Sequence, residues 1–491
     1  MADYTQMQRF GDLKSIVEAR HAGETSGFSP SVLQHVYIKL DFKPEFENAN
    51  NADDARGFLR SVARASTAAA LLAEKHGGAL LEVQGSMLHA GFSDMGVSMG
   101  SVDASPGGMF AADLHQVYKR LFNRQGARVD GWRMTTDVGG TLVVSGMGVH
   151  GDSSLVSLGD AANRPAKHLY SQLQLPEDQR KLKRYTLGFR NSNTGAWSHC
   201  GLEHQSFNTK YASFAADEAL AYEPMMKFMA GGIDVTALAL PIAPAGSPAS
   251  PTADSPATHF GWVLRADLDG FTRRVRECFD DADELQKLAS EFRQIMQSAA
   301  QFASSHTGHV LAQLPWAGDN FTVAAVYESK DAYEQGIQKG LVDLVLEFEK
   351  EMAESASSGS LEEWAYGVAG GEVHGNANGN VYLGSVQIPG RRFLIGAGEG
   401  FGRSAQAFAD INPGANEIIA YSPDVQKMDE QYKNQFSGAQ NTRGKQSSLF
   451  KRSDIDSVKR VRVRASASGS AVVVTKSSGR AEEIPSRPYM R

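Results

Sequence analysis

Ala266-Asp267-Leu268-Asp269-Gly270-Phe271-Thr272 is the stretch on which the reading of this chain turns. It follows the apolar run Trp262-Val263-Leu264, so Asp267 stands at the end of a predicted strand, and a glycine-bearing turn leads from it into a helix. A strand-end carboxylate beside a helix N-terminus suits a cation and a phosphate chain together, because backbone N–H groups there point at the phosphates. Further on, Gly318-Asp319 lies between the apolar runs 309–313 and 321–326, which predicts a second carboxylate at a hairpin tip. Two carboxylates on adjacent strands can share two divalent cations, the usual clamp for in-line attack at phosphorus.

The same order of elements occurs earlier in the chain. Val36-Tyr37-Ile38-Lys39-Leu40 predicts a strand, and residues 52–75 predict a long helix stopped by His76-Gly77-Gly78. Residues 79–83 and 87–92 predict two short strands around Gly85-Ser86. In the second copy the strand is 262–266 and the helix runs from about Glu284 to Ser304. Between the copies, Pro241-Ile242-Ala243-Pro244-Ala245-Gly246-Ser247-Pro248, continuing through Pro251 and Pro256, cannot build a core and reads as an extended linker. The expected organisation is a first domain over 1–240, a Pro/Ala/Ser-rich linker over 241–258, a second domain over 259–436 and a basic tail over 437–491. The fold class is α/β, an α+β sandwich repeated in tandem.

The halves keep opposite parts. The first has Asp41 at its strand end, but Lys43-Pro44-Glu45 replaces the turn and Gly85-Ser86 stands where Gly318-Asp319 falls in the second. It also holds Leu158-Gly159-Asp160-Ala161-Ala162-Asn163, with Lys167 one helical turn after Asn163. The second half has Leu394-Ile395-Gly396-Ala397-Gly398-Glu399-Gly400 in the corresponding segment, with Gly400 and Ser404 at those two positions.

Composition narrows the class. The 491 residues are 42% hydrophobic and 21% charged, as in soluble globular proteins. Two cysteines, Cys200 and Cys278, make neither a disulfide framework nor a thiolate metal site, which fits a reducing cytoplasm. His76, His89 and His199 show no metal-ligand spacing and read as helix-end or surface residues. No signal peptide or membrane-spanning run is visible, so a cytoplasmic protein without a membrane partner is expected. Net charge is −7, while the tail from Arg443 is basic. Lys459-Arg460-Val461-Arg462-Val463-Arg464 alternates charge with valine as a half-exposed strand does, with Val472-Val473-Val474 able to complete a hairpin, so nucleic acid is not the expected partner.

DLDGFT and Gly318-Asp319 together resemble the metal-binding motifs of class III nucleotide cyclases, D-x-x-G-F-T and a hairpin G-D. Gly159-Asp160-Ala161-Ala162-Asn163 through Lys167 follows the register of the family's G-D-x-V-N-x-A-x-R, in which Asn orients the ribose and Arg stabilises the pentavalent phosphorus. The resemblance covers roughly residues 31–180 and 259–425. It implies two cyclase-like domains pairing as a pseudo-heterodimer, within one chain or in a homodimer. It implies Asp267, Leu268 and Asp319 as the set holding two Mn²⁺ or Mg²⁺ ions, Phe271 and Thr272 as backbone donors to the β/γ-phosphates, and Asn163 and Lys167 as the catalytic pair. Lys167 departs from the family's Arg, offering a point charge without the planar fork. Extra residues, including Leu314-Pro315-Trp316, enlarge the hairpin before Asp319.

The family reads the base partly with the residue three before the hairpin glycine of the partner half, a Lys for adenine. Here it is Glu82, an acceptor when ionised, which suits guanine N1–H or uracil N3–H better than adenine. The second base-reading position falls near Val156 or Ser157. A glutamate on a hairpin edge is by default solvated. The compact arrangement is similar to the pyrimidine cyclases of bacterial Pycsar anti-phage systems, which favours UTP as substrate, cyclic UMP as product and Mn²⁺ as metal. Guanylate or adenylate cyclases share every catalytic residue, and a non-catalytic nucleotide-binding module is the reading from another class. A diguanylate-cyclase turn is absent, since Gly370-Gly371-Glu372 is followed by Val373-His374.

Overall fold

The computed structural model describes residues 27–43, 52–93, 102–123, 127–145, 155–191, 194–204, 207, 211, 227–228, 259–267, 271–278, 281–305, 310–313, 320–327, 331–335, 372–388, 391–398, 417–421, 426, 429–430, 437–438, 458–465 and 472–475. The first half opens with β1 (Gly27–Phe42) and α1 (Ala52–Lys75), then the hairpin β2 (Gly78–Gln84) and β3 (Met87–Ser93). It continues through α2 (Pro106–Phe122), β4 (Val129–Ser145), β5 (Val156–Leu158), α3 (Asp160–Leu173), β6 (Thr186–Arg190), β7 (Trp197–Gly201) and β8 (Lys227–Phe228). The second half runs β9 (His259–Asp267), α4 (Phe271–Cys278), α5 (Ala282–Ser305), β10 (Val310–Gln313), β11 (Asn320–Tyr327), β12 (Glu372–Ile388) and β13 (Arg391–Ala397). It ends with β14 (Glu417–Tyr421), β15 (Ser437–Gly438), β16 (Val458–Ala465) and β17 (Val472–Thr475).

Two sheets repeat one topology. The first has order β2-β3-β1-β4-β6-β7, with β5 on β4; the second has β10-β11-β9-β12-β14-β16-β15, with β13 and β8 on β12 and β17 on β16. In each, the long second neighbour of the first strand is antiparallel to it and parallel to the strand beyond: β4 pairs β1 and β6, and β12 pairs β9 and β14. The strands 458–465 and 472–475 pair as a hairpin on β14, so the basic stretch is part of the second sheet. β8, which precedes the Pro/Ala/Ser-rich stretch, also lies in that sheet, opposite Gly384 and Ser385. The linker residues 241–258 fall outside the described residues.

Alternation along β1 sets the layers. Val36, Ile38, Leu40 and Phe42 face a core shared with α1 and α2, while Leu33, Tyr37 and their neighbours face the other way, toward β5 and α3. Half of the buried positions of α1 are alanine: Ala55, Ala63, Ala65, Ala68, Ala69 and Ala73. Small side chains allow close approach, and α1 lies between its own sheet and β12 and β13 of the second half, with Ile395 and Ala397 in the same core. The reverse contact also occurs, as α5 packs on β1 and β4 of the first half. Ser105 caps α2 by accepting from Gly108 N–H at 3.1 Å, ahead of Pro106 at the first helical position. Among the described residues, no helix is long and apolar enough to cross a membrane.

Candidate functional site

Asp267 is the last residue of β9. Its backbone lies opposite Asn320 on one side and Glu372 on the other, so the first residues of β11 and β12 flank it. Leu268 and Asp319 lie outside the described residues; Asp319 directly precedes Asn320 in sequence. Among the described residues, β10 pairs β11 as far as Gln313 opposite Val323, and residues 320–322 pair with β9. Phe271 and Thr272 open α4. The Phe271 ring is 2% exposed and stacks on Phe292 of α5 at 4.5 Å, which pins the start of the helix to the core.

In the first half, α3 begins after Gly159, whose φ of 136° would strain a residue with a Cβ. Ala161, Ala162, Pro165 and Leu169 form the buried stripe. Pro165 removes an intrahelical donor, and the Thr135 hydroxyl donates to the Pro165 carbonyl at 3.0 Å, fixing the helix to β4. Asn163 is half-buried and Lys167 exposed, four residues apart and so stacked along one side of the helix.

Charged contacts lead from this helix to the other half. The Arg164 Nε donates to Asp137 on β4 at 2.6 Å, and its Nη1 lies 3.8 Å from Asp160. Arg276 of α4 then grips Asp160 with two parallel bonds, Nε to Oδ2 at 2.8 Å and Nη2 to Oδ1 at 2.6 Å. This bidentate pair joins the helix that continues DLDGFT to the helix carrying Asn163 and Lys167. Tyr170 of α3 also lies close enough to Arg265, two residues before Asp267, to favour its charge against the burial that lowers that guanidinium's pKa.

The first half's own strand-end carboxylate is closed. Arg133 of β4 donates from Nη1 to Asp41 Oδ1 at 2.8 Å, and Arg184 Nε stands 3.9 Å from Oδ2. Lys39 donates to Ser86 Oγ, so the hairpin position is taken by a cation as well. A recess of about 360 Å³ beside them is lined by Arg133, Glu177, Asp178, Arg180, Lys183 and Arg184. Burial lifts the Asp41 carboxyl above the usual carboxylate range, and Arg133 offsets part of that rise. Side chains already supply the positive charge that a metal would bring.

Glu82 is not solvated: it is 5% exposed, on β2 opposite His89 of β3. A register shift between Leu80 and Glu82 turns the strand there. Its Oε2 accepts from Gln84 Nε2 at 3.2 Å and faces His89 Nδ1 at 3.5 Å. Ser157 is 3% exposed, and its hydroxyl has no partner among the described residues.

A class III adenylyl cyclase-like ATP-binding protein from Pseudomonas aeruginosa superposes with a TM-score of 0.56 over 87% of this chain and 90% of its own, at 14% sequence identity. The chain has the class III cyclase fold. The adenylyl cyclase CyaB from P. aeruginosa (13% identity, 41% of this chain and 86% of that one) reaches a TM-score of only 0.25. The guanylyl cyclase domain of the RhoGC fusion protein from Blastocladiella emersonii (12%, 34% and 83%) also stands at 0.25, and neither adds to the assignment. No family model matches the chain, and no curated protein does.

Within the class III cyclase fold, sequence reasoning misses several residues that shape the site. Arg276 carries no motif, and nothing short of knowing that α4 meets α3 singles it out. Arg133 has a signal: a lone arginine in the run Trp132-Arg133-Met134, buried to 2% exposure, needs a buried anion. His89, expected at a helix end or on the surface, is 1% exposed in mid-strand, where pairing of β3 with both β1 and β2 encloses it. Among the described residues, no group of three or more His, Cys, Asp or Glu is arranged to hold a metal.

Proposed function

We propose that this chain is a nucleotide cyclase whose single composite site, between the halves, converts a ribonucleoside triphosphate, UTP foremost, to its 3′,5′-cyclic monophosphate and pyrophosphate. The observation that carries the reading is the Arg276–Asp160 bridge, which makes neighbours of two helices whose motifs are complementary in sequence. Reciprocal packing of α1 and α5 on the opposite sheets supports pairing of the 1–240 and 259–436 domains within one chain. The product would act as a second messenger, in antiviral defence on the resemblance to Pycsar cyclases.

The residues around Asp267 fit divalent cations better than those around Asp41. Where β4 presents Arg133 opposite Lys39, β12 has His374 opposite Arg265, and in sequence Gly318-Asp319 replaces Gly85-Ser86. Asp267, the Leu268 carbonyl and Asp319 form an all-oxygen set suited to Mn²⁺ or Mg²⁺. When bound, two such ions acidify the ribose 3′-OH and neutralise the departing pyrophosphate. The backbone N–H groups of Phe271 and Thr272, at the start of α4, serve the β/γ-phosphates. Asn163 holds the ribose so that its 3′-oxygen lines up with the α-phosphorus. Lys167 neutralises the transition-state charge there as a point charge. Glu82 takes the base edge. Loss of one such preorganised group costs on the order of 10²–10³ in rate.

A second reading, nucleotide binding without turnover, is favoured by Arg265, which occupies the position that Lys39 holds in the closed first-half site. It is also favoured by the similarity to a protein described as ATP-binding. Purified protein incubated with Mn²⁺ and each ribonucleotide separates the two. A cyclic monophosphate identified by mass, lost in Asp267→Ala and Asn163→Ala, supports the cyclase. Nucleotide binding without product from any of the four would establish the second reading.

A further inference from the structure

Two cations border the junction of the halves from opposite sides, Arg265 on β9 and Lys167 on α3, and among the described residues neither has an anionic partner. Arg265 lies two positions before the end of β9, and alternation along the strand places it on one face with Val263 and Asp267. The residue is half-buried. Its Nε is buried and has no hydrogen-bond acceptor, while Nη1 and Nη2 are not among the buried groups left unpartnered. Burial at Nε fixes the stem, and the Nη1–Nη2 edge is the one a ligand can reach. Tyr170 acts on the charge of this guanidinium, and no carboxylate does. Burial lowers its pKa, yet an arginine stays charged at neutral pH.

Lys167 is exposed on α3. Asn163, Lys167 and Tyr170, spaced by four and three residues, form one stripe of that helix, away from the buried Ala161, Ala162, Pro165 and Leu169. Because Tyr170 lies close enough to Arg265 to favour its charge, this stripe and the end of β9 bound the same space. Other cations nearby are already taken, Arg164 by Asp137 and Arg276 by Asp160. In the first half the position of Arg265 belongs to Lys39, which donates to Ser86, while Arg133 opposite it donates to Asp41. In the second half His374 lies opposite Arg265. A guanidinium offers N–H donors and no acceptor, so one that reaches this space without an internal anion calls for an oxyanion from outside.

We propose that Arg265 is a phosphate-binding residue of the composite site, its Nη1–Nη2 edge donating two N–H bonds to phosphate oxygens of the bound nucleoside triphosphate. It thereby supplies from β9 the planar fork that Lys167 cannot supply from α3. The proposal rests on the composite-site reading above. Lys167 meets the phosphate chain as a point charge from one half, and Arg265 meets it as a directed pair of donors from the other. As the ribose 3′-oxygen attacks, charge gathers on the equatorial oxygens of the α-phosphorus, where such donors act most strongly. The same contact serves a nucleotide that is bound and not turned over, since the triphosphate presents those oxygens in its ground state as well.

Equilibrium binding to the intact chain with Mn²⁺ present tests this, using UTP, uridine and inorganic tripolyphosphate as probes. Arg265→Gln should weaken UTP and tripolyphosphate by about 10–100-fold, the loss of charge-assisted hydrogen bonds, and leave uridine within about twofold. Arg265→Lys, which keeps the charge and carries the test if the glutamine variant does not fold, should remain at least about fivefold weaker than wild type. Tripolyphosphate binding by Arg265→Gln within about twofold of wild type overturns the proposal, as does an equal loss for uridine or no tripolyphosphate binding by wild type. Full recovery in Arg265→Lys overturns the forked contact. Arg265-dependent tripolyphosphate binding without a cyclic product from any ribonucleotide leaves the phosphate contact standing and sinks the cyclase reading. Cyclic product formed by Arg265→Gln at unchanged kcat and KM does the reverse.

Discussion

Removing Arg133 should expose what the first-half position has become. The Arg133 side chain is 3% exposed and Asp41 11%, with 2.8 Å between Nη1 and Oδ1. At an effective dielectric of about 20, attraction over that distance is about 6 kcal/mol, and losing one member of such a pair costs about 3–5 kcal/mol. Arg184, 3.9 Å from Oδ2 but 37% exposed, is screened by solvent and replaces only part of it. Arg133→Met should therefore destabilise the fold by about 3 kcal/mol, read as a lowered urea midpoint at unchanged slope. Asp41→Asn in the same chain removes the stranded charge and should recover about 2 kcal/mol. If Arg133→Met lies within about 0.5 kcal/mol of wild type, or the double variant is no better than the single, the closed-site argument is wrong. Turnover should survive Asp41→Asn, because no catalytic cation is assigned there.

Three further outcomes follow from the same geometry. His89 has a depressed folded pKa of about 3, so its contribution to stability is present above the unfolded value of about 6.5 and is lost as pH falls through 3. His89→Leu should flatten acid unfolding across that window, measured by urea titration at several pH values. Arg276→Ala breaks a partly exposed pair and should cost under about 1 kcal/mol of stability, yet it should slow turnover by about tenfold by loosening α4 from α3. Gly85 turns the β2–β3 hairpin at φ +54°, so Gly85→Val should cost more than about 1 kcal/mol, seen as a lower melting temperature.

Much of the fold was legible because strong local patterns coincide with tertiary demand. The long helix at 52–75, the Gly85-Ser86 turn and the strand ending at Asp267 each combine periodicity with a glycine or helix-stop signal. β1 extends to Gly27, well before the predicted start, since pairing with β4 rather than local pattern sustains its first residues. α4 and α5 are separate helices on either side of Asp281, matching the helix expected after the glycine turn and the one expected from about Glu284. The burial of Glu82 was not legible. Its strand neighbours allow either face, and only the register shift after Leu80 turns it inward toward His89. Likewise the closing of Asp41 depends on Arg133, ninety-two positions away in sequence, and pairs at that distance leave no local trace.

The most direct test is mass identification of products after incubating the purified chain with Mn²⁺ and UTP. The account predicts cyclic UMP and pyrophosphate, abolished by Asp267→Ala in one half and equally by Asn163→Ala in the other, and retained in Asp41→Asn. Cyclic nucleotide formation that survives Asn163→Ala, or fails in Asp41→Asn while the fold is intact, would contradict a single site built from both halves.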